Sequence, residues 1–141
     1  MEFQNYLNKL IQASQLLKKT QDNIIVFDID DTLLIPETGM PIKPTVDFYN
    51  WVRSKGFIPV IVTARENNPS NVEYTINQLK SIGIVGFDYI YFRPYYETNL
   101  ANYKEKCRED ITQLLGNIVM SIGDKPWDYG KFGGFGVLLQ K

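Results

Sequence analysis

Apolar residues along this chain fall into short continuous runs, separated by stretches in which they recur every three or four positions. Phe3, Leu7, Leu10, Ile11 and Leu17, with Ser14 among them, share one helical face. Lys18 and Lys19 suit the C-terminal end of that helix, which is expected within residues 1–22. Asn23-Ile24-Ile25-Val26-Phe27 is a short, β-branched apolar run, the pattern of a buried strand, and it ends at Asp28. Residues 30–44 contain Pro36, Gly39, Pro41 and Pro44 and predict a loop or small flap. A helix is expected over residues 45–55, closed by Gly56, then a strand over 57–62. A helix over 71–82 follows, again before a glycine, then a strand over 89–92. The pattern continues with a helix over 99–115 before Gly116, and a strand over 118–122. A short loop or helix is expected around Trp127, and residues 137–140 read as a fifth strand at the sheet edge. Strands alternating with helices predict an α/β fold with a doubly wound parallel sheet. No repeat, linker or low-complexity segment interrupts it, so residues 1–141 are read as a single domain.

Composition narrows the chemistry more than the fold. A length of 141 residues, 44% hydrophobic and 22% charged, suits one folded core. The net charge of −1 gives no overall basic field for nucleic acid or an anionic membrane. There is no histidine, which excludes imidazole bases, Ser-His catalysis and His-ligated zinc. The single cysteine, Cys107, allows no internal disulfide and no cysteine-based metal site. Residues 1–23 lack the apolar core of a signal peptide, and no apolar run approaches membrane-spanning length. A cytoplasmic protein with no membrane partner is expected.

Ligands of open α/β sheets bind at the carboxyl ends of the strands. The first predicted strand ends in Asp28-Ile29-Asp30-Asp31-Thr32, the second in Thr63-Ala64-Arg65, and the fourth in Gly123-Asp124-Lys125-Pro126-Trp127-Asp128. The helix before the fourth strand opens with Asn102-Tyr103-Lys104. Crowded carboxylates repel one another unless a cation neutralises them. An all-oxygen donor set suits Mg²⁺, and a lysine and a threonine beside it suit a phosphoryl group. The residues describe a magnesium-assisted phosphate site.

The same residues resemble the motifs of the haloacid dehalogenase (HAD) superfamily. Val26-Phe27-Asp28-Ile29-Asp30-Asp31-Thr32-Leu33 resembles its first motif and Val60-Ile61-Val62-Thr63 its second. Lys104 fits the lysine of the third, with Lys106 as competitor, and Gly123-Asp124 with Asp128 resembles the fourth. The resemblance implies a phosphomonoesterase. Asp28 would attack phosphorus, and Asp30 would serve as acid and then base. Thr63 and Lys104 would hold the phosphoryl oxygens. The metal would be held by Asp28, the Asp30 backbone carbonyl and Asp124, with Asp128 supporting metal-bound water. Arg65 and Arg93 are candidate substrate contacts.

HAD proteins often carry a cap domain, and here residues 33–44 and 64–70 allow flaps at most, so a capless, open site is expected. Such a site admits a phosphorylated small molecule, a nucleotide or a nucleic-acid end. Tyr91, Phe92, Tyr95, Tyr96, Trp127 and Tyr129, near Arg93, offer surfaces on which a base can stack, or else are ordinary core and surface residues. Two groups look nearest. Tyr103-Lys104 with Arg108, then Gly123-Asp124 and a tryptophan, is similar to the acid-phosphatase-like subfamily IIIB. The stretch from Arg93 to Lys104 is similar to polynucleotide 3′-phosphatase domains. The alternatives are a catalytically silent HAD fold and a receiver-like phospho-acceptor. Receivers, however, separate the acceptor Asp from the acidic pair, whereas Asp28 and Asp30 share one turn.

Overall fold

Four consecutive apolar residues set the centre of the molecule. Ile24–Phe27 form strand β1, and all four are buried because successive side chains point to opposite faces and both faces are covered. This is a computed structural model, and it describes residues 3–18 and 23–140. β2 (Ile58–Glu66), β3 (Ile90–Arg93), β4 (Ile118–Gly123) and β5 (Phe135–Leu138) complete a parallel sheet in the order β3-β2-β1-β4-β5. The doubly wound parallel sheet expected from the alternation of strands and helices is therefore present. Ile25 and Phe27 face one core with Leu10 and Ala13 of α1 (Gln4–Leu16), Tyr49 and Val52 of α2 (Lys43–Ser54) and Leu79 of α3 (Pro69–Ser81). Ile24 and Val26 face the other, with Tyr103, Cys107 and Ile111 of α4 (Leu100–Leu114).

Local chemistry explains where most elements begin. The Asn68 side chain accepts from the Asn71 amide at 2.9 Å, and Pro69 occupies the first turn of α3. Asn99 accepts from the Asn102 amide at 3.0 Å and opens α4 in the same way. Both α2 and α3 start two residues earlier than expected, because Pro44 and Pro69 fit a first turn that needs no amide donor. α1 stops at Leu16, since Leu17 turns extended, so Lys18 follows the helix instead of ending it. Lys19 lies outside the described residues. β2 runs to Glu66, beyond the expected end at 62, because Arg93 of β3 pairs with Glu66 after a break in register. β5 forms the expected edge strand, two residues earlier than read from the sequence.

The segment after β1 is a folded flap. The Leu33 amide donates to Ile29 O at 2.8 Å, the Ile35 amide to Met40 O at 2.8 Å and the Ile42 amide to Leu33 O at 2.8 Å. Ile29, Leu33 and Leu34 are buried beneath it. Tyr6 of α1 donates its hydroxyl to Asp31 O at 3.0 Å, where the backbone is left-handed (φ 61°). Among the described residues, no helix is long and apolar enough to cross a membrane.

Gly134 is where β5 can dock. Its φ is +65°, and a Cβ there would lie 2.4 Å from Ile118 O and 2.5 Å from Val119 O, which are backbone atoms of β4. Gly134→Ala is expected to lower stability by about 2–4 kcal/mol, combining left-handed strain with overpacking. Urea unfolding measures this; an unchanged midpoint would mean that the loop re-forms around the methyl group.

Candidate active site

Three carboxylates meet where β1 and β4 end side by side. Asp28 follows β1, and its amide still donates to Ile122 O of β4 at 3.0 Å. Asp124 follows β4, and Asp128 folds back over Gly123 within a 3-10 turn (Pro126–Asp128). That approach needs glycine, since a Cβ on Gly123 would lie 2.2 Å from Asp128 Cβ. All three acids are buried, and one oxygen of each lies within 4.8 Å of the others.

The cation among them is Lys104, which is 3% exposed. Its ammonium donates to Asp28 Oδ1 at 3.0 Å and to Val62 O at 2.7 Å, and lies 2.9 Å from Asp128 Oδ1. Burial opposes the charge on Lys104, but Asp28 and Asp128 outweigh it and hold the ammonium above its ordinary value. Lys106, the competitor in the sequence, is exposed. The buried face of α4 carries Tyr103, Lys104, Cys107, Arg108 and Ile111, so the helical period selects 104.

Besides Lys104, the exposed Lys125 ammonium lies 3.9 Å from Asp124 Oδ2, so two ammoniums face three acids. Burial, aided by Asp128 and Asp124 against the pull of Lys104, pushes the Asp28 carboxyl up to about 8. Burial also raises Asp124, with Asp128 adding to the shift and Lys125 opposing it. Asp128 Oδ2 accepts from the Lys125 amide at 3.0 Å, whereas the buried Oδ1 receives no well-directed hydrogen bond. Three buried carboxylates that each offer an oxygen to one point, with no nitrogen or sulfur donor among them, fit a hard divalent cation.

The other residues singled out in the sequence lie around this cluster. Thr63 is buried, and its hydroxyl oxygen accepts from the Arg65 amide at 3.1 Å. The Asp30 carboxylate is turned away from the three acids onto Arg65, with contacts of 2.7 and 3.1 Å to its guanidinium. The guanidinium is fixed in turn by Thr75 Oγ1 at 3.1 Å and Gln78 Oε1 at 2.8 Å. Arg93 donates to Ala64 O at 2.9 Å and to Glu97 O at 2.8 Å. Both arginines thus spend most of their donors on the protein. Tyr129 covers Gly136, while Tyr95 and Tyr96 are exposed and meet edge to face at 5.6 Å. A cleft of about 440 Å³ opens beside Asp124, between Tyr6, the flap residues Ile35 and Glu37, and Lys125.

Residues without an assigned role in the sequence complete the frame. The Tyr103 hydroxyl lies 2.7 Å from Thr63 O and 2.9 Å from Tyr91 O, pinning β2 and β3 to α4. Arg108, one turn after Lys104, donates to Trp127 O and Lys131 O. Arg108 entered the sequence reading only through the resemblance to the acid-phosphatase-like group, without a role; Tyr6, Thr75 and Gln78 had no signal.

A family model described as HAD superfamily, subfamily IIIB (acid phosphatase), matches residues 36–132. That span includes Thr63, Lys104, Asp124 and Asp128, whereas Asp28 and Asp30 precede it. Vegetative storage protein 1 of Arabidopsis thaliana is 26% identical over 136 residues, covering 77% of this chain and 50% of that protein. The class C acid phosphatase of Bacillus anthracis superposes with a TM-score of 0.67 at 22% identity, over 91% of this chain and 62% of that one. The same enzyme with tungstate bound gives 0.70 at 23% identity, over 90% and 62%. This chain therefore spans half to three fifths of the relatives it matches.

The two lysines separate pairing from mere proximity. Lys104→Ala leaves buried acids without their partner and is expected to cost about 3–5 kcal/mol. Lys106→Ala is expected to stay within about 0.5 kcal/mol of the parent. Urea unfolding in chelator compares them; equal, small effects would contradict the buried pairing.

Proposed function

The chain belongs to the HAD superfamily, subfamily IIIB, and on that premise we propose that it is a Mg²⁺-dependent phosphomonoesterase acting through an aspartyl-phosphate on Asp28. The observation that carries this reading is the Asp28 carboxylate, held 3.0 Å from the Lys104 ammonium at the tip of the central strand. The nucleophile thus stands beside a fixed positive charge suited to phosphoryl oxygens. Mg²⁺, held by Asp28, Asp124, the Asp30 carbonyl and the support of Asp128, would act as a Lewis acid that screens carboxylate and phosphate charge.

In this mechanism Asp28 attacks phosphorus and the ester oxygen departs. Lys104 and the Thr63 hydroxyl donate to the phosphoryl oxygens as their charge is redistributed. Asp30 gives its proton to the leaving oxygen and later takes one from the attacking water, which cleaves the acyl phosphate and regenerates Asp28. Asp30 must leave the bidentate grip of Arg65 to do this, so Arg65 governs its position. The flap over residues 33–42 and the short turn between β2 and α3 support an open, capless site. The substrate class is a phosphomonoester: a phosphorylated small molecule, a nucleotide, or a nucleic-acid end that stacks on Tyr95 and Tyr96. The setting proposed is the cytoplasm.

Hydrolysis of p-nitrophenyl phosphate is expected to stop in EDTA and return with Mg²⁺. Asp30→Asn is expected to slow an alkyl phosphate by about 10²–10⁴-fold, and p-nitrophenyl phosphate less, because its leaving group needs little protonation. Full activity in excess chelator, or equal small defects on both esters, would contradict the scheme.

A further inference from the structure

We propose that Arg108 is a positioning residue for the metal-binding carboxylates, fixing the loop that carries Asp128 and with it the affinity for Mg²⁺. The proposal rests on the Mg²⁺ reading of the site. Arg108 is 3% exposed and follows Lys104 by one turn on the buried face of α4. Its Nε donates to Lys131 O at 3.0 Å and its Nη1 to Trp127 O at 2.9 Å. Among the described residues, no carboxylate lies within 4.0 Å of it to form an ion pair. Burying a guanidinium is costly, and the nearby charges of Asp128 and Glu105 offset only part of that cost, so the arrangement calls for a reason.

The two carbonyls supply that reason, because they bracket Asp128 in the chain. Arg108 thus holds the backbone at residues 127 and 131, on either side of Asp128 in the chain, while Lys104 contacts the Asp128 carboxylate. Other ties complete the fastening, among them the Lys125 amide donating to Asp128 Oδ2 at 3.0 Å. Ser121 Oγ donates to Gly133 O at 2.8 Å, the Gly133 amide to Gly130 O at 2.9 Å, and the Asp128 amide to Lys125 O at 3.0 Å. Gly133 itself passes close to the Arg108 stem, with its Cβ position 3.2 Å from Arg108 Cδ. One helix face therefore sets two positions at once: Asp28 through Lys104, and Asp128 through both Lys104 and Arg108. A planar fork can bridge two carbonyls that a lysine ammonium, as a point donor, cannot hold in the same geometry.

Groups that orient metal ligands without touching the metal commonly change affinity by about 10–100-fold when removed. Calorimetric titration of Mg²⁺ into the wild type, Arg108→Lys, Arg108→Met and Ser121→Ala tests the proposal, with circular dichroism to establish that each is folded. Arg108→Met is expected to weaken Mg²⁺ binding by about 10–100-fold and Arg108→Lys by less than Arg108→Met. Arg108→Lys, which keeps the charge and most of the stem, keeps the test decisive if Arg108→Met does not fold, and Ser121→Ala, which removes a tie that Arg108 does not make, serves as the comparison. The activity lost by the Arg108 variants at low Mg²⁺ should return as Mg²⁺ is raised. Folded Arg108 variants with wild-type affinity would overturn this proposal alone. A wild type that binds no Mg²⁺ would overturn the metal reading, and this proposal with it.

Discussion

The ammonium of Lys104, buried among Asp28, Asp128 and the Val62 carbonyl, is the interaction on which the site depends. Removing a charge from water costs several kcal/mol, so such a group persists only where its partners are close and fixed. Here they are fixed by the sheet: Val62 lies in β2, Asp28 follows β1 and Asp128 follows β4. These three strands are adjacent, and α4 lies across the face they share. The strand order therefore brings three separate segments of the chain to one ammonium.

The same helix carries the rest of the frame. Tyr103 reaches the carbonyls of Thr63 and Tyr91, and Arg108 reaches those of Trp127 and Lys131. The flap is secured from the opposite face, where Tyr6 of α1 donates to Asp31 O. Acidic repulsion and backbone anchoring are thus balanced against each other. The three acids are held closer than they would stand in water, and the excess negative charge is what a divalent cation, and then a phosphate bound to it, would meet.

Much of this was legible in the sequence because it depends on local patterns. Ile24–Phe27 read as a strand buried on both faces, and Asp28 and Asp124 then fell at strand ends by position, whereas Thr63, expected just past a strand, lies inside β2. The choice between Lys104 and Lys106 needed the face of α4 that packs on the sheet, which becomes definite only once Tyr103, Cys107 and Ile111 are seen buried together. The extension of β2 to Glu66 arises from pairing with β3 across a register break, a non-local event with no signature in residues 63–66. The grip of Arg65 on Asp30 joins the flap to β2 and is completed by Thr75 and Gln78 of α3, so no single segment reveals it.

The central claim is that Asp28 is the atom donor to phosphorus, and covalent trapping tests it most directly. The protein would be mixed with an aryl phosphate and Mg²⁺, quenched in acid within a turnover, digested and analysed by mass spectrometry. The account predicts one phosphoryl group, on Asp28, and none in Asp28→Asn. Phosphate on another residue, or undiminished turnover and labelling in Asp28→Asn, would contradict it.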